Sequence, residues 1–185
     1  MFSPVYIVVW FSMVLLHITR SQQCSSYDSL ELVSEFKEAR QSSLYHENTV
    51  AGTAVDGSTI RPCTHTICFI VTNVSFQIEN EQTPWWYLDL GTEIVISKIV
   101  LFNRVVCCAI RLQGADVRVG NSKDLPFTEN TRCGTVVTQN EAENINPIQR
   151  YCNPPTGIAG RYVSITKPRV VGILSLCEVK VYKGT

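Results

Sequence analysis

The segment Asn103-Arg104-Val105-Val106-Cys107-Cys108-Ala109-Ile110-Arg111 sets two adjacent cysteines between two arginines. Neighbouring thiols can oxidise to each other, but only under strain. Consecutive Cα atoms lie about 3.8 Å apart across a trans peptide and about 2.9 Å across a cis one, whereas an ordinary disulfide spans roughly 4.4–6.8 Å. A Cys107–Cys108 bond therefore makes a small, rigid, sulfur-faced ring rather than a staple. With a planar five-donor guanidinium on either side, such a ring is a surface for a polyhydroxylated, uncharged ligand. The alternatives are that the two cysteines pair with separate distant partners or stay reduced in the core, where free cysteine is common. The redox compartment decides between them.

The amino-terminal residues speak to the compartment. Val5 to Ile18 is an apolar run too short and too interrupted to span a bilayer comfortably, and Thr19-Arg20-Ser21 places small residues at the −3 and −1 positions of a cleavage site. Residues 1–21 read as a secretory signal peptide, with an uncleaved anchor as the lesser alternative. No second stretch is long and apolar enough to insert in a membrane, so residues 22–185 are expected to be a secreted, extracellular, single domain. Eight cysteines in such a setting imply disulfides. With 16 basic and 16 acidic residues the chain has no charge excess that would attract nucleic acid.

The elements that must position the arginines are mostly strands. Ile94 to Phe102 is rich in β-branched residues, Ala115 to Val119 alternates apolar and polar before Gly120-Asn121-Ser122, and Tyr162 to Thr166 and Leu174 to Tyr182 follow the same pattern. Short strands separated by polar turns predict an all-β sandwich or barrel. Leu30 to Arg40 has helical propensity and charge spacing, and fits either a short helix or a terminal strand and loop.

Laid out in order, the chain resembles the F-type lectins, or fucolectins, from roughly Ala39 to Tyr182. The markers are Gln41-Ser42-Ser43, Ala54-Val55-Asp56-Gly57, Cys63-Thr64-His65-Thr66, Pro84-Trp85-Trp86-Tyr87-Leu88-Asp89-Leu90, the doubled cysteine with Arg104 and Arg111, Arg132-Cys133-Gly134, Gly160-Arg161-Tyr162-Val163, and Leu176-Cys177-Glu178-Val179-Lys180-Val181-Tyr182. The resemblance implies a jelly-roll β-sandwich of the galactose-binding-like, discoidin-like kind that binds fucose. It makes His65, Arg104 and Arg111 the donors to fucose hydroxyls and the ring oxygen, with a Cys107–Cys108 disulfide packed against the sugar. It also implies the pairs Cys63–Cys177 and Cys133–Cys152, leaving Cys24 and Cys68 unassigned. A structural Ca²⁺ is implied as well, with Asp56 and Glu178 at the acidic positions and Thr53, Ser58 and the Cys177 carbonyl as further oxygens, a hard-ligand set suited to calcium.

The chain departs from the family pattern in three places. Val106 stands where the family motif has aspartate, so the carboxylate that would orient and neutralise the arginines is gone and the site is either mis-set or more electropositive. His65 and Arg104 are separated by 38 residues because of an insert over about 67–82 that carries Cys68 and an Asn73-Val74-Ser75 glycosylation sequon. The loops between Gln41 and Cys63 are short, and Pro62 sits where a ligand-bearing residue is expected. A zinc site built from Cys63, His65 and Cys68 lacks a fourth ligand at a familiar spacing.

Catalysis is not expected. A glycosidase needs two carboxyl groups about a scissile bond and a hydrolase needs a nucleophile with a matched base. After the signal segment the chain has only His46 and His65, and no such motif. The expected function is recognition of terminal L-fucose on glycans, in innate defence as the family implies, with homo-oligomerisation supplying multivalency. The rival is a discoidin-like module that binds protein or lipid and has lost sugar binding.

Overall fold

Strand formation is governed by one long alternating run. Trp85–Phe102 forms a single strand of 18 residues, β3, in which Trp86, Leu88 and Leu90 are buried while Trp85, Tyr87 and Asp89 are only partly covered. That alternation is the period-two signature of a strand with one face on a core. The ladder slips between Asp89 and Ile94, where Gly91 takes φ +86° and its N–H is held by Asp89 Oδ1 at 2.8 Å. A left-handed residue at such a bulge is one that glycine supplies without steric cost.

The first half of β3 pairs with β1 (Glu38–Gln41) on one side and β7 (Ile158–Thr166) on the other. Its second half pairs with β6 (Ile148–Tyr151) and β9 (Glu178–Lys183). β7 stays paired with β3 across the bulge as far as Ile96, and β6 and β9 take over from there. Beyond β7 the same antiparallel sheet continues to β4 (Asp116–Gly120) and β5 (Thr131–Arg132), and a separate two-stranded ladder joins β2 (Thr64–Ile67) to β8 (Ile173–Leu176). The apolar core sets Trp86, Leu88, Ile96, Ile99 and Leu101 of β3 among Val117, Val163, Ile165, Val179 and Val181. This is the all-β galactose-binding-like sandwich expected from the sequence.

The computed structural model describes residues 30–44, 47–59, 63–67, 83–167 and 172–184, with His65, Thr66 and Ile67 described by backbone alone. The signal segment, Cys24, His46, Pro62, the insert over 68–82 with Cys68 and the Asn73 sequon lie outside them. Within Leu30–Arg40 no helix forms. Leu32 makes a bridge to Tyr182 and Glu38–Gln41 becomes β1, because open edges on β9 and β3 offer backbone partners that outweigh local helical preference. The predicted strand from Leu174 to Tyr182 is interrupted at Cys177, between β8 and β9. The disulfides Cys63–Cys177 and Cys133–Cys152 are formed, across sequence separations of 114 and 19. Their loop-closure contributions are at most about 4.7 and about 3 kcal/mol.

The helical segments are short. Two 3₁₀ turns, η1 (Ala51–Ala54) and η2 (Ala109–Leu112), flank an α-helix, α1 (Gln139–Asn144), whose start is fixed by a capping box: Thr138 Oγ1 accepts from Glu141 N while Glu141 Oε2 accepts from Thr138 N. Arg150 of β6 reaches the same carboxylate with both terminal nitrogens, at 2.9 and 3.0 Å. First through that Arg150 bond, the Glu141 carboxyl is held down to about 2 from an ordinary 4.5. A carboxylate whose folded value is depressed stabilises the fold above its unfolded value and loses that contribution as pH falls toward the folded one. Thermal melts should therefore show an acid-induced loss between about pH 4.5 and about pH 2. In Glu141→Gln that loss should vanish, with a cost at neutral pH on the order of 2–3 kcal/mol; an unchanged acid limb would contradict the assignment.

Candidate functional site

Asn103, at the exit of β3, is almost fully buried and has every polar group engaged. Its Nδ2 donates to the carbonyls of Ala109 (2.9 Å) and Ala142 (3.0 Å), and its Oδ1 accepts from Arg104 N (2.8 Å). Asn146 closes the set: its Oδ1 accepts from Asn103 N at 2.9 Å and its Nδ2 donates to Asn103 O at 3.4 Å. One side chain thereby ties the end of β3, the first residue of η2 and the body of α1 into a single knot. The 104–108 loop leaves that knot and returns to η2, with Arg111 N donating to Cys108 O at 3.0 Å.

The return is sharp. Cys108, N-cap of η2, takes φ +63°, a left-handed conformation that costs a residue with a Cβ roughly 1–2 kcal/mol. The turn brings the two sulfurs to 2.8 Å, with Cys107 exposed and Cys108 partly so. The bond expected between them is not made in this structure: the pair stands as thiols in contact. Sharing a hydrogen bond pushes the Cys107 thiol up and the Cys108 thiol down, while the Arg104 and Arg111 charges favour the thiolate of both.

Arg104 and Arg111 are both half-buried. Between them Val105 and Val106 are 73% and 71% exposed, forming an apolar ledge beside the sulfurs. Behind Arg111 lies Lys167, only 6% exposed. Its Nζ donates to Arg111 O at 2.9 Å and to Ile173 O, the start of β8, at 3.3 Å. Burial lowers its pKa. His65 lies on β2 with its backbone opposite Ser175 of β8, and β8 packs against η2. The histidine's backbone and the arginine loop therefore belong to one cluster of neighbouring elements, joined by the Lys167 bridge.

The second predicted set gathers where η1 lies against β9. Thr53 Oγ1 donates to Val50 O (2.8 Å), and Asp56, exposed, accepts Ser58 N at 2.8 Å on Oδ1. Cys177 is bonded to Cys63, and its N donates to Phe102 O at 2.9 Å. Glu178 is fully buried, and neither carboxylate oxygen meets a hydrogen-bond partner. Burial first, then the Asp56 charge and to a smaller extent Glu35, push its carboxyl up to about 7, although the Gly57 N–H and Lys180 act in the opposite sense. Among the described residues no three His, Cys, Asp or Glu side chains are close enough to hold a metal by themselves. A cation here would have to draw on carbonyl and hydroxyl oxygens as well. The orphaned Glu178 oxygens and the hard-oxygen neighbours fit calcium.

Sequence reasoning names Arg104, Arg111 and the cysteines but gives no role to Asn103, Asn146 or Lys167. All three act on backbone groups, and no residue pairing advertises such contacts.

Comparison with known proteins places the chain in a family. Residues 53–165 match the family described as the NedA-like, galactose-binding domain. The chain is 33% identical over 147 residues to the pentraxin fusion protein of Xenopus laevis, covering 77% of this chain and 31% of that protein. It is 30% identical over 133 residues to fucolectin-1 of Anguilla japonica, covering 72% and 67%. The crystal structure of a serum F-lectin (fucolectin) from Morone saxatilis, striped bass, superposes with a TM-score of 0.67 at 32% identity, covering 84% of this chain and 48% of that one. The chain thus spans under a third of the pentraxin fusion protein and about half of the bass lectin. The chain belongs to the F-type lectin, or fucolectin, family of galactose-binding-like domains.

Replacing Asn103 by Ala should leave the carbonyls of Ala109 and Ala142 unpaired, lowering stability by about 1–3 kcal/mol, as read by urea unfolding. In chelator, Glu178→Gln should raise the melting temperature at pH 8 by on the order of 5 °C, because the fold then no longer holds an acid whose ionisation is opposed. The sign follows from a raised carboxyl: the metal-free wild type should gain stability as pH drops from about 7 toward 4.5. A wild type that loses stability over that interval would contradict the burial of Glu178.

Proposed function

We propose that this chain is a secreted lectin that recognises terminal L-fucose on glycans, supported by calcium and serving innate recognition. The observation that carries the proposal is the loop of Arg104 and Arg111, whose guanidinium groups flank an exposed apolar and sulfur-lined ledge and are free of carboxylate partners among the described residues. Guanidinium forks hold ligand oxygens in fixed geometry, and charge-assisted donors offset the desolvation of sugar hydroxyls. The ledge of Val105, Val106 and the two sulfurs offers contact to the apolar face of the sugar. In an oxidising compartment, closure of Cys107 to Cys108 would stiffen that ledge. His65 adds a third donor in this reading. The names of the eel and bass relatives point to the same sugar.

Calcium would be held by Glu178 and Asp56 with Thr53, Ser58 and the Cys177 carbonyl, ordering the loops rather than taking part in chemistry. A single shallow site binds weakly, so self-association would supply avidity toward fucosylated surfaces.

Calorimetric titration with L-fucose, with D-galactose as control, should give selective heat that Arg104→Ala and Arg111→Ala each reduce at least ~10-fold, about 1.4 kcal/mol. Calcium should raise the melting temperature of wild type and have no effect on Glu178→Gln. A folded protein giving no heat with fucose, with or without calcium, would overturn the lectin reading and favour a protein- or lipid-binding module.

A further inference from the structure

The structure describes seven arginines, and five of them rest on carboxylates. Arg40 pairs with Glu38, Arg118 and Arg132 with Asp116, Arg150 with Glu141, and Arg161 with Asp89. The two that do not are Arg104 and Arg111, and they stand together. Both act on the Cys107 and Cys108 thiols, so both charges fall on the same small ledge. No aspartate or glutamate occurs from Asn103 to Ala115. Asp116, next along the chain, is already engaged by Arg118 and Arg132. Lys167 adds a third cation behind Arg111, and among the described residues its ammonium donates to carbonyl oxygens.

Among the described residues neither half-buried guanidinium meets a carboxylate, so both keep their donors for a ligand. Neutral sugar hydroxyls accept hydrogen bonds but leave both charges uncompensated. An oxyanion accepts the same forks and compensates them, with bonds about twice as strong as neutral ones. Val106, exposed in the loop between the arginines, carries no charge to set against theirs. We propose that the ligand of this site is an anionic glycan: a sugar that carries a sulfate ester or carboxylate, on the bound residue or on the one beside it, and seats that group on Arg104 and Arg111. The proposal rests on the lectin reading and adds the charge of the ligand to it.

The test is calorimetric titration of the full secreted protein with two matched pairs of probes. One pair is a sulfated fuco-oligosaccharide and the same oligosaccharide after desulfation; the other is a fucosylated oligosaccharide with and without terminal sialic acid. The anionic member of at least one pair should bind roughly tenfold tighter, a preference equivalent to about 1.4 kcal/mol. The pair that shows it identifies sulfate or carboxylate as the source. That preference should shrink as ionic strength is raised from about 50 to about 300 mM. Val106→Asp should bring the ratio close to one by supplying the missing charge, while Val106→Asn, polar but neutral, should keep it. Equal affinity within both pairs, or a preference that survives Val106→Asp, would overturn the anionic-ligand proposal while leaving a neutral fucose lectin standing. Absence of binding to all four probes would overturn the lectin reading and this proposal together.

Discussion

The buried Asn103 side chain is the constraint on which the site's geometry rests. A strand delivers it to the edge of the core, and from there its amide holds carbonyls of η2 and α1 while its oxygen fixes the first residue of the arginine loop. Without those bonds the 104–108 loop has little else to define it, since Val105, Val106 and Cys107 are all exposed. The hold is only as firm as α1, a helix of six residues too short to be stable alone. Its capping box and the Arg150–Glu141 pair anchor it to β6, so the order of an exposed recognition loop is drawn from a buried ion pair in the sandwich wall.

Two unmatched charges give the fold its functional signature. Glu178 is buried with both oxygens unpartnered, and Lys167 is buried with carbonyls as its partners. Neither arrangement favours stability, because removing a charge from water without an opposite charge nearby is unfavourable. Each is consistent with a local task. Lys167 joins the η2 turn to the start of β8, and so connects the arginine loop to the ladder that carries His65. Glu178 keeps hard oxygens available beside η1, where a cation would relieve the burial that raises its carboxyl.

Strand identity was legible where β-branched residues alternate, and the arginine loop stood out because two arginines around a cysteine pair form a pattern of residue types. The length of β3 was not, since Asp89-Leu90-Gly91 reads as a turn while the strand passes through it on a bulge. The Leu30–Arg40 segment was open between a short helix and a terminal strand and loop, and the second holds because two sheet edges claim its backbone over its helical charge spacing. α1 had a readable signal that was passed over, Thr138 followed three residues later by Glu141. Asn103, Asn146 and Lys167 had none, because hydrogen bonds to main-chain atoms of distant segments depend on tertiary placement alone. The left-handed turn at Cys108 is likewise set by the fold around it and has no signal in the residue types.

The central claim is that Arg104 and Arg111 grip the ligand above the Cys107–Cys108 ledge. A crystal structure of the protein soaked with L-fucose tests it most directly. The account predicts the sugar on this loop, with hydroxyl or ring oxygens within hydrogen-bonding distance of both guanidinium groups and an apolar face against the sulfurs. Fucose bound at another surface, or seated here without contact to either arginine, would contradict it.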